Sequence, residues 1–115
     1  MNEIIDKDAM VQAGSGDVFA DLGISLSHED KIKIGIASVI TATISKRRLT
    51  QAEAGKLMGI DQPKVSALLR GRLSGFSVER LVLFLLKLGR NVEIKISREF
   101  SDRQGEVRVK SAALG

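Results

Sequence analysis

Residues 49–71 read LTQAEAGKLMGIDQPKVSALLRG, and this stretch decides the fold. Thr50, followed three residues later by Glu53, has the form of a capping box, in which each residue's side chain takes up the other's unpaired backbone N–H. The pattern predicts a helix opening at Thr50 and running to Met58. Gly59 ends it, because the chain must turn there with positive φ and glycine does so at little steric cost. Asp61 is a second N-cap, and Pro63 falls in the first turn, where its missing N–H is tolerated. That helix is expected to stop at Gly71. Ala54, Met58, Ile60, Val65 and Leu68 face inward, while Gln51, Gln62, Lys64, Ser66 and Arg70 stay outside. Gly55 supplies the small surface that two closely crossing helices need.

Two capped helices joined by a short glycine turn form the helix-turn-helix pattern, whose second helix enters the major groove of DNA. Upstream, Ser27-His28-Glu29-Asp30 is a further capping sequence and predicts a helix over about residues 28–46. Its buried stripe is Ile32, Ile36, Val39, Ile40 and Thr43. Lys46, Arg47 and Arg48 lie at its C-terminal end, where cations complement the helix dipole. Downstream, Ser77 caps a helix that carries Val78, Leu81, Val82, Leu85 and Leu88 on one face and stops at Gly89. Leu83, Phe84 and Leu86 make it apolar almost all round, as expected of a helix buried on two sides or set at a subunit interface.

After Gly89 the period changes to two. Val92, Ile94 and Ile96 alternate with Glu93, Lys95 and Ser97, which reads as a strand with one buried face. Val107 and Val109 could pair with it as a hairpin, and a second subunit is the other candidate partner. The expected architecture is mainly α, a helical bundle with a helix-turn-helix plus a short C-terminal strand or hairpin. Its divisions are an acidic, flexible leader over 1–26, the helix-turn-helix domain over 27–90, and a strand and tail over 91–115.

Composition narrows the chemistry. The 115 residues include no cysteine and one histidine, so thiolate chemistry is excluded and a zinc site within one chain lacks ligands. No nucleophile–base pair or phosphate loop is visible, and neither an enzyme nor a cofactor or metal is expected. His28 beside Glu29 reads as a helix-start surface pair. Apolar runs are too short for a bilayer span, and the first residues are acidic where an export signal would be basic, so a cytoplasmic protein is expected. The charge is unevenly placed. Residues 1–45 hold three Lys against seven acids, net −4; residues 46–115 hold fifteen Lys and Arg against seven, net +8. A basic body suits a polyanion. RNA modules usually stack bases on aromatic platforms, and four Phe with no Tyr or Trp argue against one.

The wording of LTQ, GI and QPKVSALLRG resembles the lambda-repressor-like (Xre-type) helix-turn-helix family over residues 49–71, and more loosely over about 31–90. Gly55 departs from the family's more usual Ala, at up to about 1 kcal/mol of helix propensity. The wider string GDVFADLG, SGFS and LGRNVEI is similar to small HigA-type antitoxins, which repress their own operon and bind a RelE/HigB-like toxin ribonuclease. The resemblance implies double-stranded DNA as partner. Gln51 would bond a phosphate, Gln62 has the amide for adenine N6 and N7, and Lys64 and Ser66 would reach a base edge or phosphate. Arg70, Arg72 and the loop at Ser74 would lie along the backbone. Each has a plainer alternative: solvated helix-start amides, surface filler, or an arginine at a helix C-terminus. A homodimer through Leu83, Phe84, Leu86 and Ile94 is expected, because one recognition helix reads few base pairs. The acidic leader, with Val18, Phe19 and Leu22, is expected to meet a toxin's basic surface; the alternative is that these side chains join the chain's own core. A stand-alone repressor without a toxin remains the competing function.

Overall fold

The computed structural model describes residues 26–111, and four helices make up its regular structure. They are α1 (His28–Lys46), α2 (Gln51–Met58), α3 (Gln62–Leu69) and α4 (Val78–Lys87). Each begins on the side chain expected of it. Ser27, Thr50, Asp61 and Ser77 are the N-caps, and each accepts from the backbone N–H three residues on. Both halves of the Thr50–Glu53 capping box form, at 3.0 and 2.8 Å.

The C-termini of α1, α3 and α4 share one closing pattern. A residue with positive φ follows the C-cap, and the next N–H bonds back to the carbonyl five residues earlier: Leu49 to Ile44, Arg72 to Ala67 and Arg90 to Leu85. Gly71 and Gly89 hold the left-handed position in α3 and α4. In α1 it is held by Arg48, at φ 55°.

The core lies where the four helices meet. Ile36, Ile40 and Ile44 of α1, Ala54 and Met58 of α2, Val65 and Leu68 of α3, and Leu81, Phe84, Leu85 and Leu88 of α4 are all buried. Thr43 is the buried polar residue of α1, and its hydroxyl is satisfied by donating to the Val39 carbonyl at 2.7 Å. Phe84 corrects an expectation. It belongs to this core and not to the free face of α4, because its ring meets Phe76 edge-on at 5.9 Å. Leu83 and Leu86 are the exposed apolar residues of α4, at 45% and 49%.

The expected C-terminal strand or hairpin is also corrected. Among the described residues no strand forms: 92–97 has no regular secondary structure and no ladder partner, and Ile94 and Ile96 stand 84% and 90% exposed. Val109 does not pair with them. It packs against the core at Gly35 of α1, so close that a β-carbon on Gly35 would meet its side chain at 2.5 Å. Period-two alternation specifies an extended segment, but a ladder needs a second edge to receive it.

Candidate nucleic-acid interface

The helix-turn-helix is held by a tight crossing of α2 and α3. A β-carbon at Gly55 would lie 2.6 Å from the Ile60 carbonyl oxygen and 3.3 Å from Val65 Cγ2. The slot is therefore smaller here than an alanine fills without a backbone shift. The Gly55 carbonyl in turn accepts from the N–H groups of both Gly59 and Ile60, at 2.7 and 3.0 Å, which closes the turn.

This arrangement brings α3 forward with its buried side, Val65 and Leu68, on the core and its other side bare. Gln62 and Lys64 are exposed in the first turn, and Ser66 is half-buried. The Asp61 carboxylate takes up the Lys64 N–H at 3.0 Å. Gln51 is half-buried at the start of α2. The cap there satisfies the Glu53 N–H, so the N–H groups of Gln51 and Ala52 are left for an outside acceptor such as a phosphate.

Arg70, Arg72 and Ser74 follow α3 and are all exposed. Arg70 is the C-cap, and the Gly71 turn with the Arg72-to-Ala67 bond fixes where the chain leaves the helix. Lys64, Arg70 and Arg72 form no ion pair among the described residues. Exposed cations without a salt bridge offer their charge to phosphate without first breaking one. The chemistry available is thus amide and hydroxyl donors for base edges, flanked by cations and free N–H groups for the backbone.

One element of the site escaped the sequence reading. The loop carrying Ser74 is anchored by Phe76, buried beneath α4, with the Arg80 guanidinium over both Phe76 and Phe84 at 5.5 and 5.4 Å. A hydrophobic residue just before the Ser77 N-cap, with Leu81 one turn inside, has the form of a hydrophobic staple and was the available signal. Arg80 is half-buried in this clamp and so positions the loop.

Comparison with known proteins agrees with this geometry. A model of a helix-turn-helix domain family matches residues 18–97. A solved structure that carries the name of an XRE-family transcriptional regulator is 42% identical, with a TM-score of 0.64, covering 75% of this chain and 96% of the other. The chain belongs to the Xre-type helix-turn-helix family. A comparison with curated proteins finds no match. The helix-turn-helix match extends past α4 to residue 97, the last of the alternating segment, and begins at residue 18, before the described residues. Val18, Phe19 and Leu22 lie outside the described residues.

Proposed function

We propose that the chain is a sequence-specific, DNA-binding transcriptional regulator that acts as a homodimer. The observation that carries this reading is the exposure of Gln62 and Lys64 in the first turn of α3 and of Arg70 and Arg72 at its end, cations with no ion pair among the described residues, with half-buried Ser66 between them. Gln51 and Ser74 complete the backbone contacts. Such a protein works where the chromosome is, in the cytoplasm. The test is binding to duplex DNA from its own promoter across a salt titration. Affinity that falls steeply with salt, with preference for one site, supports the reading; no salt-dependent binding overturns it.

Within that function the chain is an autorepressing antitoxin that neutralises a RelE/HigB-like toxin. Two features favour this over a stand-alone repressor: the similarity of the GDVFADLG, SGFS and LGRNVEI strings to HigA-type proteins, and the opposite charges of the leader and the body. An acidic segment with Val18, Phe19 and Leu22 complements the basic surface that a ribonuclease presents to RNA. Deleting residues 1–26 should abolish toxin binding and leave the DNA footprint nearly intact. A truncated protein that binds the toxin at full affinity would move the partner surface to the body. A neighbouring reading frame without a small basic ribonuclease would favour the stand-alone repressor.

A further inference from the structure

Residues 92–97 place two aliphatic side chains almost fully in solvent. The segment alternates in sequence as a strand does, has no ladder partner among the described residues, and holds Ile94 and Ile96 at 84% and 90% exposure with Val92 at 37%. Its charges lie together on one side: Lys95 Nζ is 3.7 Å from Glu93 Oε1, with both side chains more than four-fifths exposed. One side is thus aliphatic and the other is a single acid beside a single base.

That order is self-complementary. If a second copy lies antiparallel with Ile94 opposite Ile94, then Val92 faces the other copy's Ile96 and Glu93 faces its Lys95, twice, by two-fold symmetry. A slip of one residue would instead put Ile94 opposite a charged side chain and lose both ion pairs. The five residues 92–96 read the same in this sense from either end, and a foreign edge strand has no reason to match them.

We propose that residues 92–96 pair with the same residues of a second copy as an antiparallel ribbon centred on Ile94. The inference rests on the dimer reading above and deepens it by assigning the interface and its register. A two-stranded ribbon alone is marginal in water, so its aliphatic side needs a cover. Leu83 and Leu86, exposed on the helix that leads directly into the segment, supply apolar surface of the required kind. The ribbon also removes an open edge that would otherwise recruit unrelated chains.

The absence of cysteine makes a direct test available. In the proposed register the two Ile94 α-carbons lie about 4.5–5.5 Å apart, within disulfide range, so oxidised Ile94→Cys should run as a covalent dimer. Two Ser97 positions would lie about 20 Å apart, and Ser97→Cys should stay uncrosslinked. Glu93→Lys should weaken dimerisation about tenfold by opposing lysines twice, and the double reversal Glu93→Lys with Lys95→Glu should restore it. All four positions are exposed in a single copy, so the variants keep the helical fold of the monomer, which circular dichroism checks, while melting follows the dimer. A dimeric parent whose Ile94→Cys variant fails to crosslink, or whose charge reversal has no effect, overturns the register and leaves the dimer. A parent that sediments as a monomer at tens of micromolar overturns both.

Discussion

Arg47, at the end of α1, donates from Nη1 to the carbonyl oxygen of Leu88, the C-cap of α4, at 3.1 Å. The guanidinium closes the C-terminus of a helix forty-one residues away, while the Arg47 backbone N–H closes its own by donating to the Thr43 carbonyl. This gives one member of the Lys46-Arg47-Arg48 run a fixed structural partner. Replacing Arg47 with Ala should cost about 1–2 kcal/mol, because it removes a charged donor and leaves a helix-terminal carbonyl to water. Arg47→Lys should recover only part of this, since its ammonium is a point charge without the guanidinium's planar reach. Chemical denaturation measures both, and unchanged midpoints would remove the contact from the stability of the bundle.

Arg48 holds a left-handed conformation that Gly71 and Gly89 fill at the matching places in α3 and α4. A side chain in that region costs about 1–2 kcal/mol, part of which glycine's greater unfolded-state freedom offsets. Arg48→Gly should therefore raise stability by about 0.5–1 kcal/mol, seen as a higher melting temperature. A loss of stability would show that the Arg48 side chain contributes more than its backbone strain.

Gly55 stands where the family more often has alanine, and the Ile60 carbonyl oxygen lies 2.6 Å from where the extra carbon would go. The gain in helix propensity is at most about 1 kcal/mol, while forcing a shift against backbone costs about 1–3 kcal/mol. Gly55→Ala should be net destabilising by about 1 kcal/mol. Because the shift falls in the turn between α2 and α3, DNA affinity should fall with it; a melting curve and a binding isotherm check the two halves.

Glu53 accepts the Thr50 N–H, and hydrogen bonds from the Thr50 backbone and then its side chain hold the carboxyl below its usual range. A depressed folded-state pKa contributes stability above the unfolded-state value, and the contribution is lost as the pH falls through the folded one. The parent should therefore lose stability on acidification below the ordinary glutamate range more steeply than Glu53→Gln, which keeps an acceptor but does not titrate. Parallel pH–melting curves would refute this.

Gln62 and Arg70 bracket the exposed side of α3, one at each end. Gln62→Ala should cost about 1–3 kcal/mol against the preferred base and relax specificity at that position alone. Arg70→Ala should weaken all duplexes alike and reduce the salt slope by about one unit. Competition with single-base operator variants, repeated at several salt concentrations, separates the two effects.

The sequence determined what depends on neighbours along the chain. Ser27, Thr50, Asp61 and Ser77 open the helices because a cap acts within one turn, and Gly59, Gly71 and Gly89 close three of them because positive φ is a property of the residue itself. The outward placement of Gln62, Lys64 and Arg70 followed from the same local periodicity. What the tertiary structure decided is which apolar faces find each other. Phe84, three residues after Leu81 and four before Leu88, sits only at the edge of the buried stripe, and its burial is completed where the loop returns Phe76 to it. Val109 docks on Gly35, not on Ile94, because α1 offers a bare backbone at that point. Residues 92–97 alternate as a strand does, but a ladder takes two edges, and only one is present in a single copy of the described chain.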